Sequence, residues 1–278
     1  MSNPKTNTSA TPSENTGELL YVIKIGGNII DDEQKLASFL DVFALIKEKK
    51  ILIHGGGKLA TKMAEQLNIP QQLIEGRRVT DDATLRVVTM VYAGYINKNI
   101  IAQLQSKHCD SIGICGADCN LITAKKRIHA SIDYGFAGDI TTVNVQAFQN
   151  LFLQDITPVI APITHDGKGQ LLNTNADTIA QEIAKALSEV YNVSLIYSFE
   201  KTGVLQNVED ESTIIPVLYP SLYEDLKSRK IIFSGMIPKL DNAFAALESG
   251  VEKVIIGKAE ALNELLEGRS GTSIVLQF

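Results

Sequence analysis

Two glycine clusters, the first of them preceded by a lysine, form a pattern suited to binding an anion. Lys24 precedes glycines 26–27, and His54 precedes glycines 55–57. Glycine lets the backbone approach a ligand closely, and the amide groups at a helix N-terminus attract negative charge. One glycine cluster is more often only a tight turn. Two clusters in succession, the first with a cation beside it, favour an anion site.

Neither cluster matches a known nucleotide fingerprint. "HGGGKLAT" lacks the spacing G-x-x-x-x-G-K-[ST], and neither cluster fits G-x-G-x-x-G. A P-loop or a dinucleotide-binding site is therefore not expected. His54 has two interpretations, because histidine is the commonest acid–base residue, yet a histidine that ends a buried strand more often hydrogen-bonds to a neighbouring loop.

Two further polar segments could either bind a ligand or only stabilise the fold. In "EGRRVTDD", Arg77 or Arg78 could clamp a carboxylate through a bidentate fork, or could form a surface ion pair with Asp81 or Asp82. The spacing alone leaves both open. Ahead of a later predicted helix, the segment "NTNADTIA" contains more polar side chains than one helix cap needs, namely Asn173, Asn175 and Asp177.

The three cysteines do not form a metal motif. Cys109, Cys115 and Cys119 lie close together beside His108, but no second ligand cluster follows at the spacing of a structural zinc site. We interpret them as small residues near a strand end and predict no metal site held by the protein. Unpaired thiols fit a reduced, cytoplasmic setting.

Strands and helices alternate along the chain and must position these groups. "ELLYVIKI", a glycine turn and a helix are followed by "KILIH", a second glycine turn and a helix that carries Leu59, Met63 and Leu67 on one side. Two such units imply parallel strands joined by right-handed crossovers. We also expect a long helix from about 82 to 107 and a β-rich hairpin excursion through "AKKRIHASIDYGFAGDITTVN".

The alternation continues almost to the C-terminus, which predicts an α/β fold. Its mainly parallel central sheet would be covered by helices on both faces, in a three-layer αβα sandwich. Ligands of such sheets bind beyond the carboxyl ends of the strands, where both glycine clusters fall.

Composition limits the classes of function. The chain has 278 residues, 45% of them hydrophobic and 21% charged, which is typical of a globular protein. A net charge of -6 argues against a nucleic-acid partner, and no apolar run approaches the roughly 20 residues of a membrane span. Residues 1–18 lack the apolar centre of a signal peptide and are predicted to be a disordered leader.

Six motifs in order carry a family resemblance: K-x-G-G, HGGGK, GRRVT, GICGAD, LNTNAD and SGMIPK. Together they resemble the acetylglutamate kinases of the amino-acid kinase family, from about Leu20 to the C-terminus. The resemblance implies the amino-acid kinase fold, with an N-terminal lobe at 19–175 for acylglutamate binding and dimerisation and a C-terminal lobe at 176–278 for ATP. It implies transfer of the γ-phosphoryl group of ATP to the side-chain carboxylate of N-acetyl-L-glutamate, the second step of arginine biosynthesis.

The resemblance also implies a role for each matching residue. The catalytic residues would be Lys24, Lys239 and Asp177. The acylglutamate would contact Gly56, Gly57, Arg78, Asn173 and Asn175. Phosphate would contact Gly26, Gly27 and Gly235. The nucleotide would contact Phe199, Glu200, Lys201 and Gly203, and Mg²⁺ would arrive with the ATP.

Departures from the family pattern leave alternatives open. Where many members have D-V-x-G, this chain has Phe199 to Gly203, and Ser234 replaces a common glycine. The leader has no apolar period for the N-terminal helix that joins dimers into hexamers in arginine-inhibited members, so we expect a homodimer without arginine feedback. N-succinyl-L-glutamate or another acceptor of the family stays an alternative substrate. A metabolite sensor without catalysis is disfavoured because both lysines are present.

Overall fold

A mainly parallel sheet runs through the centre of the molecule. The structure, a computed structural model, describes residues 15–74, 76–232 and 236–277. Its strands are β1 (Leu19–Ile25), β2 (Lys49–His54), β3 (Leu73–Ile74), β4 (Arg77–Arg78), β5 (Ser111–Cys115), β6 (Ile122–Lys126), β7 (Gly138–Val143), β8 (Thr157–Ala161), β9 (Ile163–His165), β10 (Leu171–Asn173), β11 (Asn192–Phe199), β12 (Val217–Leu218), β13 (Lys253–Lys258) and β14 (Thr272–Ile274). Within the described ranges, the main sheet has the order β12-β14-β13-β11-β1-β2-β8-β5, and only the β13–β14 pair is antiparallel.

Helices connect these strands and cover both faces of the sheet. They are α1 (Gly27–Ile30), α2 (Glu33–Leu45), α3 (Gly57–Gln66), α4 (Asp82–Thr89), α5 (Asn97–Ser106), α6 (Val145–Phe152), α7 (Ala176–Leu187), α8 (Pro220–Ser228), α9 (Ile237–Glu248) and α10 (Leu262–Leu266). Among the residues described, no helix combines the length and the apolar character that a bilayer span requires.

Alternation along the strands divides the core into two layers. Leu20 and Val22 of β1 belong to the cluster that α7 and α9 cover, whereas Ile23 and Ile25 belong to the cluster under α2, α4 and α5. Successive side chains of a strand point to opposite faces. Lys24 therefore points to the α7 side of the sheet, and this places its ammonium near the start of that helix.

The predicted α/β sandwich with a mainly parallel sheet is confirmed. The β-rich excursion contains β7 and most of β6, which belong to a smaller sheet of order β10-β9-β6-β7. Strands of both predicted lobes share the main sheet, because β1 pairs with β2 on one side and with β11 on the other. The lobe boundaries stay a prediction, and residues 1–14 of the predicted leader lie outside the described residues.

The long helix expected from about 82 to 107 contains an interruption. A π-helical segment at Met90–Ile96 joins α4 to α5. Such segments are often found at functional sites. Here the segment packs against α3 and brings Tyr92 and Ile96 against Gly56.

The side of α3 that carries Leu59, Met63 and Leu67 is less buried than the side that carries Ala60 and Ala64. Ala60 and Ala64 are fully buried, whereas Met63 is 37% exposed and Leu67 is 50% exposed. The reason is close packing of α3 on α4 and on the π-helical segment, where alanine fits and a larger side chain would not.

Candidate active site

One carboxylate lies between two ammonium groups at the carboxyl edge of the sheet. Lys24 Nζ is 2.7 Å from Asp177 Oδ1, and Lys239 Nζ is 3.2 Å from Asp177 Oδ2. The Lys24 and Asp177 side chains are only 11% and 14% exposed, and that of Lys239 is 26% exposed. The three side chains come from β1, α7 and α9, so the fold brings together all three residues that the sequence predicts to be catalytic.

The surroundings of Asp177 keep it ionised. Burial by itself would raise the pKa of this carboxyl group, but the ammonium groups of Lys24 and Lys239 outweigh burial and lower the pKa to about 2. The cluster therefore carries one net positive charge at neutral pH.

Local structure fixes where each charge lies. Asn175 is the N-cap of α7, and its Oδ1 accepts hydrogen bonds from the backbone N–H groups of Asp177 at 2.8 Å and Thr178 at 3.1 Å. Asp177 thus lies in the first turn of α7, where the helix dipole also favours a negative charge. Lys239 lies in the first turn of α9, directly after Pro238, a residue suited to the start of a helix.

The two glycine turns are neighbours because Ile25 pairs with His54 at the ends of β1 and β2. The amide of Gly26 donates to Ser198 O at 3.0 Å, so it is already engaged with β11. Gly27 begins α1 and faces open space, since a Cβ atom there would have no other atom within 4 Å. Gly27 is therefore a better candidate than Gly26 for a contact with phosphate.

Gly56 is required by its conformation and its neighbours. Its φ is +143°, and a Cβ atom at this position would lie 2.2 Å from Ile96 Cδ1. Side chains larger than hydrogen are excluded on both grounds. The glycine brings the backbone of the second turn close against the π-helical segment.

Arg78 points at the second glycine turn. It is 8% exposed, and its Nη2 donates to Gly57 O and to Thr61 Oγ1, both at 2.9 Å. Its Nη1 donates to Gln71 Oε1. The alternative of a surface ion pair is wrong for this arginine, because it is buried and these polar contacts hold it. Sequence patterns gave no signal for Gln71 or Thr61.

The two aspartates of that alternative have other roles. Asp81 caps α4 by accepting a hydrogen bond from the Thr84 amide at 2.7 Å, and Asp82 pairs with Arg86 on the surface. Both aspartates therefore have partners in α4, and Arg78 instead lines a cavity next to the second glycine turn.

A cavity of about 180 Å³ lies beside the charge cluster. Its wall contains every residue that the sequence predicts to bind the acylglutamate, namely Gly56, Gly57, Arg78, Asn173 and Asn175. Asn173 is held by the hydrogen bond from its Nδ2 to Thr80 Oγ1 at 3.0 Å. Because Asn175 and Ala176 line the wall, the cavity reaches the residue next to Asp177.

Sequence reasoning missed several side chains of this wall, and Tyr92 and Arg127 are the largest polar ones. Arg127 follows β6, and its Nη2 lies 2.6 Å from Asp139 Oδ1. The basic run "KKR" inside the β-rich excursion indicates a possible anion contact. The strand pattern does not show, however, that this excursion lies beside the second glycine turn. Tyr92 comes from the π-helical segment, which the sequence did not predict.

His54 holds the glycine turn and cannot reach a substrate. The residue is fully buried; its Nδ1 lies 2.8 Å from Gly55 O and its Nε2 lies 3.2 Å from Asn97 Nδ2. Burial lowers its pKa to about 4, so the ring is neutral at physiological pH. Of its two interpretations, the structure supports the loop contact over the general base.

The predicted nucleotide segment begins where β11 ends, next to β1. Phe199 is buried, Glu200 is exposed, and Lys201 Nζ donates to Val208 O at 3.1 Å. Gly203 is tightly packed, because a Cβ atom there would lie 2.6 Å from Thr272 Oγ1. Gly203 therefore shapes this loop. The predicted phosphate ligand Gly235 lies outside the described residues.

The described part of the chain contains no group of three His, Cys, Asp or Glu side chains that could hold a metal ion. The one carboxylate of the charge cluster is already engaged by two ammonium groups.

Comparison with known proteins agrees with the geometry. Residues 20–258 match the amino acid kinase family. This chain belongs to that family. The kinase has curated relatives called acetylglutamate kinase, one from Cytophaga hutchinsonii that is 53% identical over 259 residues, with 92% of this chain and 98% of the relative covered. A relative of the same name from Phocaeicola vulgatus is 50% identical, with 89% and 96% covered.

Solved structures agree on the fold of the kinase. N-acetylglutamate synthase from Neisseria gonorrhoeae, complexed with coenzyme A and N-acetyl-glutamate, matches with a TM-score of 0.79 at 22% identity. The match covers 94% of this chain and 60% of the synthase chain. Carbamate kinase from Giardia lamblia bound to AMP-PNP matches with a TM-score of 0.66 at 13% identity, over 94% of this chain and 99% of that one.

Proposed function

We propose that this kinase transfers the γ-phosphoryl group of ATP to the side-chain carboxylate of N-acetyl-L-glutamate, giving N-acetyl-L-glutamyl 5-phosphate and ADP. This is the second step of arginine biosynthesis. The names of the relatives support the acceptor, and membership of the kinase family supports ATP as the phosphoryl donor. The observation that carries the proposal is the position of the Arg78 cavity, which reaches the edge of a cluster with two lysines and one aspartate.

The acceptor carboxylate is already a nucleophile at neutral pH. One of its oxygens forms a bond to the γ-phosphorus while the bond from that phosphorus to the bridging oxygen of ADP breaks. The electron pair of the broken bond stays with ADP, and no proton moves in this step. A general base is unnecessary, which agrees with a buried and neutral His54.

The main barrier is electrostatic, because an anion must approach a polyanion. Lys24 and Lys239 supply positive charge where charge develops on the phosphoryl oxygens. Asp177 holds the two ammonium groups on either side of itself, at 2.7 and 3.2 Å. The carboxylate therefore sets the spacing of the two ammonium groups, and the cluster carries one net positive charge.

The cavity wall orients the acceptor. Arg78 would bind the α-carboxylate with its guanidinium fork, which is positioned beforehand by Gly57 O and Thr61 Oγ1. Asn173 and Asn175 would contact the amide region, and Gly56 and Gly57 would lie along the chain of the substrate. Binding the α-carboxylate at one end directs the side-chain carboxylate towards the lysines, and such positioning lowers the barrier.

ATP would bind at the carboxyl end of β11, where Phe199 to Gly203 form the loop beside β1. Gly27 would donate its amide to the phosphoryl group from the adjoining turn. Mg²⁺ enters as part of the substrate MgATP, held mainly by phosphate oxygens. We also propose a homodimer and a cytoplasmic location.

The decisive experiment traps the product. Purified protein is incubated with MgATP, N-acetyl-L-glutamate and hydroxylamine, which converts an acyl phosphate to a coloured hydroxamate. N-succinyl-L-glutamate and free L-glutamate are run in parallel. We expect turnover with the N-acetyl acceptor and little with free glutamate. Faster turnover with the N-succinyl acceptor would reassign the substrate, and no hydroxamate with any acceptor would overturn the proposed reaction.

A further inference from the structure

We propose that Lys58 is a positioning residue that holds the two glycine turns together through Asn28; this inference rests on the proposed function. Lys58 follows Gly57 in the first turn of α3, and Asn28 follows Gly27 in α1. The Lys58 Nζ donates to Asn28 Oδ1. This contact spans from the residue after one turn to the residue after the other.

Each turn is otherwise anchored to a different part of the fold. The first turn is attached to β11, through the Gly26 amide and Ser198 O at 3.0 Å. The second is attached to β4 through Arg78 and Gly57 O at 2.9 Å. Pairing of β1 with β2 fixes the position of Ile25 relative to His54, but it does not fix the residues of the two glycine turns that follow. The Lys58 contact is a polar side-chain link between the turns.

The spacing that this link controls matters for the proposed reaction. Gly27 is the glycine whose amide would donate to the transferring phosphoryl group, and Gly57 lies in the wall of the cavity that would hold the acceptor. Small displacements of groups that position reactants cause large losses of rate. A bond that fixes one turn relative to the other therefore acts mainly on turnover, and much less on the affinity for an acceptor held by Arg78.

The location of Lys58 is unfavourable for the helix itself. A positive side chain in the first turn of a helix opposes the helix dipole, which favours acidic residues there. Sequences depart from such local preferences mainly at functional sites. Lys62, one turn further along α3, is also exposed and lies near Asp31, as Lys58 does. It provides a matched control for the loss of one charge on the same helix.

The test is a double-mutant cycle in the full chain, made of Lys58→Ala, Asn28→Ala and the double variant, with Lys62→Ala as the control. Steady-state kinetics give kcat and KM for both substrates, and thermal unfolding gives Tm. We expect each single variant to lower kcat about tenfold with KM for the acceptor changed by less than about threefold. The double variant should be no slower than the slower single variant, because both remove one interaction.

Further variants distinguish positioning from other roles. Lys58→Arg keeps a donor for Asn28 and should recover most of the turnover, while Lys62→Ala should match the wild type. The inference is overturned if either Lys58→Ala or Asn28→Ala has the wild-type kcat. It is also overturned if the fold-loss of kcat in the double variant equals the product of the two single losses. It is also overturned if a lower Tm accounts for the lost rate. A wild-type enzyme without turnover would overturn the proposed function itself.

Discussion

Asp177→Asn is the substitution with the most specific expected consequences. It keeps the shape of the side chain and removes the negative charge between two ammonium groups at 2.7 and 3.2 Å. The lysines then repel each other and lose their fixed spacing. We expect kcat to fall by about 10²- to 10³-fold, the range seen when one preorganised electrostatic contact is removed.

The same substitution should lower stability in a pH-dependent way. The difference between the usual pKa of 3.8 and a folded-state pKa of about 2 corresponds to roughly 2 kcal/mol. Because the folded-state pKa is the lower one, ionised Asp177 stabilises the fold above about pH 4, and that contribution is lost as the pH falls from about 4 to about 2. Asp177→Asn should therefore lower the free energy of unfolding by at least about 2 kcal/mol at pH 7, with a smaller difference at pH 3.

Denaturant unfolding at several pH values, combined with the hydroxamate assay, measures both effects. Asp225→Asn is the matched control, because it removes a carboxylate that is 51% exposed and 3.0 Å from Arg229. Surface pairs of this kind contribute less than about 1 kcal/mol. If Asp177→Asn were as stable and as active as Asp225→Asn at pH 7, the reasoning about the charge cluster would be refuted.

Three further substitutions test other parts of the site. Lys239→Ala should lower kcat at least about 100-fold with KM changed by less than about threefold, since its charge acts in the transition state. Arg78→Lys should raise KM for the acceptor about tenfold and leave KM for ATP unchanged, because lysine lacks the bidentate fork. Gly56→Ala should lower the free energy of unfolding by about 2 kcal/mol or more and abolish turnover, since φ is +143° and the new Cβ would overlap Ile96. Steady-state kinetics check the first two, and denaturant unfolding checks the third.

Matched controls separate the site from general effects. Lys227→Ala removes a charge 3.8 Å from Asp241 outside the cluster, and Arg86→Lys changes an arginine whose side chain is 72% exposed. Gly167→Ala adds a methyl group at another positive φ, where no atom lies within 4 Å. Lys239→Ala with wild-type kcat, Arg78→Lys with an unchanged acceptor KM, or Gly56→Ala no worse than Gly167→Ala would each contradict the corresponding argument.

Much of the architecture could be predicted because strand and helix periods differ. The nearly continuous apolar run in "ELLYVIKI" is enough to predict a buried strand, and the glycines after Lys24 predict where it ends. The prediction that Lys24, Asp177 and Lys239 act together came from the family resemblance. Spacing alone does not show that residues of three elements meet when two of them, Lys24 and Lys239, lie 215 positions apart.

Other features depend on packing that a single sequence does not reveal. In α3, Leu59, Met63 and Leu67 have helical spacing, and only the close approach of neighbouring helices decides that Ala60 faces inwards. The π-helical segment at Met90–Ile96 differs from an α-helix by a small change in hydrogen bonding. The polar partners of Arg78 depend on side-chain contacts between separate elements.

The attack of a carboxylate on phosphorus can be observed directly. N-acetyl-L-glutamate labelled with ¹⁸O in its side-chain carboxylate is incubated with the enzyme, MgATP and hydroxylamine, and the released inorganic phosphate is examined by ³¹P NMR. Hydroxylamine attacks the acyl carbon, so the former carboxylate oxygen leaves with the phosphate. We predict one ¹⁸O atom in each phosphate formed. Phosphate without ¹⁸O would mean that water receives the phosphoryl group, and would contradict the account.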